Sequence, residues 1–271
     1  MINISKKEYD QLADFIKKNY GINLGTKKQA LVVGRLQNVL IENNFNSFSE
    51  YYKYIISDKT GNAIVTLINK ITTNHTFFMR EVNHFCYFRD NVLPYLVNKV
   101  KDRDLRVWSA GCSTGEEPYT LAMIMNEFFG EDKKFWDTKV LATDISGNAL
   151  EQAIKGEYSN EEIAPLPANW KINYFKRHDV ENSVLVDKIR NEVIYRKFNL
   201  MDKVFPFRRK FHVIFCRNVM IYFDNDTKDK LANKFYDLLD YGGYLFIGHS
   251  ESLNREKTNF RYIMPAIYRK E

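Results

Sequence analysis

Four short apolar runs most constrain what this chain can become: "LRVWSA" (105–110), "KVLATDI" (139–145), "FHVIFCR" (211–217) and "GGYLFIGHS" (242–250). Between them lie stretches with helical spacing, such as 118–129 and 227–240. Strands alternating with helices predict an α/β domain built on a mostly parallel, doubly wound sheet. Right-handed crossovers then place its ligand at the carboxyl ends of the strands, near the switch point.

The first 75 residues follow another rule. "SKKEYDQLADFIKKNYG" opens on Ser5, carries Glu8 three residues later and stops at Gly21, which is a capping box with a glycine stop. "KKQALVVGRLQNVLIENNF", "SFSEYYKYIIS" and "TGNAIVTLINKIT" continue as helices, and no strand pattern interrupts them. The chain therefore divides into a small all-helical domain over 1–75 and a sheet domain over 76–271. One stretch breaks the rhythm of the sheet domain. Residues 157–241 hold no glycine, and 183–200 alternates apolar and polar residues around a charged middle. That alternation predicts a small antiparallel hairpin, within an inserted β-subdomain over about 157–198.

Charge separates the two parts. The net charge is +6, and residues 1–80 hold 11 Lys+Arg against 6 Asp+Glu, so 11 − 6 = +5 of it lies in the first third. A basic helical domain suits an acidic partner or is simply a solvated face. Lys27, Lys28 and Arg35 share its second helix and are the candidate substrate-facing residues. The three cysteines are scattered, with no paired spacing and no histidine near them at ligand spacing. That argues for a reducing, cytoplasmic setting and against a zinc site or disulfide frame. No stretch approaches a membrane span, and the N-terminus lacks the apolar core of a secretory signal.

The turn "WSAGCSTGEEPYTLAM" (108–123) carries the chemistry. Gly111 and Gly115 stand four apart between a strand and a helix, and Glu116 and Glu117 follow at the helix mouth. A dinucleotide site uses a different glycine spacing and puts a pyrophosphate at that helix end. Two carboxylates there would repel it. A ligand with positive charge and no phosphate matches better, and S-adenosylmethionine is one. Asp144 ends the next strand, where an acid accepts ribose hydroxyls. Its plain alternative is a cap on the following helix.

Several separated stretches together resemble the CheR-type chemotaxis receptor methyltransferases. They are "TTNHTFFMRE" (72–81), the glycine turn, "ATDIS", "FNL" (198–200), "FCRNVMIYFD" (215–224) and "GGYLFIGHSESL" (242–253), in the family's order. The resemblance implies a helical domain, a class I (Rossmann-like) methyltransferase domain with an antiparallel insert, and S-adenosylmethionine as methyl donor. It implies cofactor contacts at Asn74, Thr76, Arg80, Gly111, Glu117, Asp144, Asn199, Leu200, Arg217 and Asn218. Tyr222, with Arg80, is implied at the methyl-transfer site; a packed core tyrosine and a structural ion pair are the plain alternatives. His75, where many members have Glu or an apolar residue, is a departure between matched positions.

The reaction so implied is esterification of glutamate side chains on the cytoplasmic helices of chemoreceptors. It needs no triad, because a free glutamate with pKa near ~4.3 is already a nucleophile at neutral pH. Two rivals stand beside it. A methyltransferase acting on exocyclic amines of nucleic acid usually carries a proline-rich loop after the fourth strand, but here that place reads "CRNVMIY". A non-catalytic module that senses the cofactor is the other. The expectations are thus a cytoplasmic monomer with no metal, no nucleic-acid partner and no membrane insertion. The glycine-free insert further predicts no docking on a receptor C-terminal peptide, since close backbone approach favours glycine.

Overall fold

The computed structural model describes residues 2–26, 28–72 and 75–271. The chain forms two compact units. One comprises 1–74 with the short segments 199–201 and 222–227, and the other comprises 75–198, 202–221 and 228–271.

The first unit is helical: α1 Lys6–Tyr20, α2 Gln29–Glu42, α3 Phe48–Ser57 and α4 Asn62–Ile71. The expected capping box is present. Ser5 Oγ accepts from Glu8 N–H at 3.3 Å, and the Glu8 carboxylate accepts from Ser5 N–H at 2.9 Å. Gly21 closes α1 in the left-handed region, with φ 72°. The unit's core is made by residues at helical spacing, among them Leu12, Ile16, Leu36, Leu40, Tyr51 and Leu67. Segments distant in sequence complete it: Ile22 bridges Phe223, Lys17 pairs with Asp224 at 2.8 Å, and Asn199 Nδ2 donates to Asn19 O at 2.8 Å.

The second unit opens with α5 Val82–Tyr87 and α6 Leu93–Lys99, joined by a π-helical turn. It continues β1 Val107–Ala110, α7 Glu116–Phe129, β2 Val140–Asp144, α8 Gly147–Lys155, β3 Glu157–Ser159, α9 Asn160–Ile163, α10 Ala168–Tyr174, β4 Phe175–Arg177, β5 Asn182–Leu185, α11 Asp187–Arg190 and β6 Val193–Lys197. It ends with β7 Phe211–Cys216, α12 Asn225–Leu238 (whose first turn falls in the other unit), β8 Leu239–Ile247, β9 Arg261–Met264 and β10 Ile267–Arg269. The main sheet has the order β6-β2-β1-β7-β8-β10-β9. Its first five strands are parallel, and β10 and β9 close it antiparallel. The chain reverses direction across the sheet between β1 and β7, so the carboxyl ends of β1, β2 and β7 bound the crevice where such sheets take ligands.

The second sheet, β3-β5-β4, is antiparallel. Here the structure corrects the expected hairpin over 183–200. β5 belongs to the small sheet, α11 turns the chain with Ile189 fully buried, and β6 pairs in parallel with β2 from Val140↔Val193 to Asp144↔Lys197. The apolar–polar alternation of 193–197 thus marks an edge strand of the main sheet with one face covered. The true hairpin joins β4 and β5. Its turn needs no glycine, because Asp179 Oδ1 accepts the main-chain N–H of both Glu181 and Asn182 at 2.7 Å. An Asx side chain does the work that positive φ would otherwise do.

Candidate functional site

Five residues join β1 to α7, and their amides are largely spoken for. Gly111 and Cys112 N–H donate to Thr143 O at 2.7 and 2.9 Å. Ser113 N–H donates to Asp144 Oδ2 at 2.8 Å, and Gly115 N–H to Cys112 O at 3.1 Å. An anion cradle needs free amides, and four of this turn's five are already taken. Both glycines hold positive φ, 89° at Gly111 and 99° at Gly115. Packing also forbids a side chain. A Cβ on Gly111 would lie 2.4 Å from Val219, and one on Gly115 would lie within 2.9 Å of Tyr195, Ala153 and Tyr158.

The two adjacent acids at the helix mouth diverge. Glu116 turns inward, is 2% exposed and accepts from the Thr114 hydroxyl at 2.8 and 3.0 Å. Burial pushes its carboxyl up to about 7. Glu117 faces the strand ends, where Oε1 accepts from Ser109 Oγ at 2.7 Å and Oε2 from Arg217 Nη1 at 3.0 Å. Asp144, half-buried at the end of β2, accepts from Ser113 and Ser146 N–H, one on each oxygen. Burial raises its pKa against those hydrogen bonds. An ionised carboxylate offers about four lone-pair sites, so Asp144 can take a further donor.

Arg217, just past β7, is the centre of charge. Its side chain is 2% exposed and lies between two carboxylates, with Glu117 and Glu81 each at 3.0 Å. It also donates to the main-chain carbonyl of Arg80 and stacks over Phe85, 5.1 Å from the ring centre. Asn218 sits in the left-handed region with φ 60°. Its Nδ2 donates to Glu81 Oε1 at 3.3 Å, while its N–H donates to Glu251 at 3.0 Å. Glu251 is buried, has no cation paired with it among the described residues, and accepts the N–H groups of Gly248, Asn218 and Ile221. Burial raises its pKa.

Of the residues singled out from sequence, the structure thus gathers Gly111, Glu117, Asp144, Arg217 and Asn218 around the ends of β1, β2 and β7. Arg80 enters the array through its carbonyl. Its own guanidinium is half-exposed, donates to His75 O at 2.6 Å and lies 5.9 Å from the Phe77 ring centre. Thr76 is half-buried in the same irregular segment. Asn199, Leu200 and Tyr222 fall in the first unit, where the Tyr222 carbonyl accepts from Asn23 N–H at 2.7 Å. Asn74 and Lys27 lie outside the described residues. Lys28 is exposed, whereas Arg35 is half-buried and braces the end of α4 by donating to the carbonyls of Ile71 and Lys70. Sequence reasoning missed Glu81 and Glu251, although both lie inside the quoted stretches. The signal for Glu81 was an acid directly beside a site residue, Arg80; Glu251 has no such neighbour.

Two family models match, with little left over. "CheR methyltransferase, all-alpha domain" covers residues 7–72, and "CheR methyltransferase, SAM binding domain" covers residues 74–268. The chain belongs to the CheR family. It is 44% identical to a chemotaxis protein methyltransferase of Borreliella burgdorferi over 99% of this chain and 96% of that one. It is 34% identical to that of Escherichia coli K12, over 98% of this chain and 91% of that one. Among solved structures, the CcbJ methyltransferase of Streptomyces caelestis overlaps 59% of this chain and 51% of its own, at 16% identity and a TM-score of 0.34. The cofactor of this CheR family member is S-adenosylmethionine, and the family's chemistry is methyl transfer in chemotaxis. The site fits such a ligand: four of the turn's five amides are already bonded, and Glu117 and Asp144 present carboxylates for ammonium and hydroxyl groups.

Proposed function

We propose that this protein methylates glutamate side chains on the cytoplasmic helices of chemoreceptors, forming glutamyl methyl esters. The observation that carries the reading is the division of labour between two arginines. Arg217 is buried, and both its terminal nitrogens are committed to Glu117, Glu81 and the Arg80 carbonyl. Arg80 keeps its guanidinium half-exposed beside that array, where it can hold an incoming carboxylate. A substrate carboxylate needs no base, since it is ionised at neutral pH with a pKa near ~4.3. Positioning is then the main task, and ideal alignment is worth roughly 7–11 kcal/mol. When bound, S-adenosylmethionine supplies an electrophilic methyl group on a sulfonium.

In this reading Asp144 takes the ribose hydroxyls and Glu117 the ammonium end. Asn74, Thr76, Arg80, Gly111, Asn199, Leu200, Arg217 and Asn218 complete the cofactor contacts. Tyr222 lines the place of methyl transfer, where an aromatic face next to a sulfonium contributes about 0.5–2 kcal/mol. Lys27, Lys28 and Arg35 mark the face of the helical domain that meets acidic receptor helices. The protein works as a cytoplasmic monomer on a protein substrate, with no peptide tether. The names of the relatives support the chemotaxis setting.

A filter assay with tritiated cofactor, offering receptor fragments and RNA in parallel, tests the substrate class. Label in receptor alone is expected, and label in RNA alone overturns the reading. A titration of receptor C-terminal pentapeptides tests the absence of a tether; micromolar binding would contradict it.

A further inference from the structure

His84 and His249 take no part in the proposed methyl transfer, yet the fold brings them together with Glu81. His84 is 1% exposed, and neither of its ring nitrogens has a hydrogen-bond partner. A buried imidazole left so is rare and calls for a missing partner. Its Nδ1 is 3.3 Å from Glu81 Oε2, and its ring centre is 4.5 Å from that of His249, edge to face at 82°. One ligand atom from each of Glu81, His84 and His249 lies within 4.8 Å of the others.

We propose that Glu81, His84 and His249 bind a divalent transition metal ion of the zinc class, with a fourth position open to water. Two imidazoles and one carboxylate form a three-ligand set for zinc, and the two nitrogens disfavour magnesium and calcium, which prefer oxygen. Arg217 repels a cation here, but its charge is paired with the carboxylates of Glu81 and Glu117. The exposed ring of His249 provides the way in. Sequence spacing hid the site, because Glu81 and His249 stand 168 residues apart.

The test is calorimetric titration of the full chain with zinc chloride, alongside cobalt(II) absorption spectra. Wild type is expected to take up one equivalent with micromolar affinity or better. His249→Ala removes a ligand but keeps the main-chain N–H that bonds Glu81. It should lower zinc affinity at least about tenfold, the scale that even outer-shell losses reach. His249→Cys restores a zinc ligand and should recover binding, adding a thiolate-to-cobalt charge-transfer band. Unchanged S-adenosylhomocysteine affinity in both variants shows that they are folded. No stoichiometric uptake by wild type, or equal affinity in His249→Ala, overturns the site; both results are independent of methylated substrate.

Discussion

Replacing Arg217 by Met tests the charge array at the strand ends. The change keeps the side chain's approximate volume and removes the cation between Glu81 and Glu117. Both carboxylates are largely buried, 14% and 13% exposed, so neither recovers its lost partner from water. Removing one member of a buried ion pair costs about 3–5 kcal/mol, because the other is left uncompensated. Here two acids are stranded, while Ser109, Asn218 and the His249 N–H still bond them, so the same range applies. For a domain of this size, each 1 kcal/mol shifts Tm by about 2–4 °C, which predicts a fall of about 6–20 °C. The pH dependence carries the diagnosis. Arg217 and its hydrogen bonds hold the Glu81 pKa below the ordinary value against burial. That stability is present above the unfolded pKa and is lost as pH falls through the folded one. In the variant the stranded acids protonate readily, so its deficit against wild type should shrink as pH drops from 7 towards 4.5. Differential scanning calorimetry at several pH values measures this. A deficit that is absent, or constant across that range, would refute an electrostatic role for Arg217.

Asp144→Ala should weaken S-adenosylhomocysteine binding by about 1.5–3 kcal/mol, the scale of a lost charged hydrogen bond; unchanged affinity by calorimetry in a folded variant rejects the ribose assignment. Reversing the charges of Lys27 and Lys28 should raise KM for receptor and leave cofactor affinity alone, with receptor methylation falling as salt screens charges over about 10 Å at 0.1 M. Adding Arg35→Glu should also lower Tm, since Arg35 braces the end of α4. Glu116→Gln probes the inward acid. Its folded pKa is raised by burial to about 7, so its stability contribution is full below the unfolded pKa and is lost as pH rises through about 7. Thermal melts should therefore show Glu116→Gln gaining on wild type between pH 5 and 8; a flat difference contradicts a buried, titrating carboxyl.

What the sequence made legible follows from how local each signal is. The Ser5–Glu8 capping box, the Gly111–Gly115 turn and Asp144 at a strand end are short-range patterns, and each stands where the pattern put it. The fate of 183–200 depended on which sheet each strand joins, and alternation alone does not distinguish a hairpin arm from an edge strand. Adjacent acids were equally ambiguous: Glu116 and Glu117 differ in role only because a helix turns consecutive side chains by about 100°. Glu81, Glu251 and the two histidines became visible only once β7 and β8 brought residues 217–218 and 248–251 beside α5. Charge counting also cannot show that Arg35, part of the basic total, donates to main-chain carbonyls at the end of α4.

The decisive question is whether the methyl group goes to a glutamate carboxylate. Mass spectrometric mapping of a receptor cytoplasmic fragment, incubated with the enzyme and S-adenosylmethionine, answers it. Peptides heavier by one methylene are expected, with the modification on glutamate and removed by mild base with release of methanol. A base-stable modification on lysine, arginine or a backbone amine, or a fragment left unmodified by an enzyme that binds its cofactor, would contradict the proposed esterification.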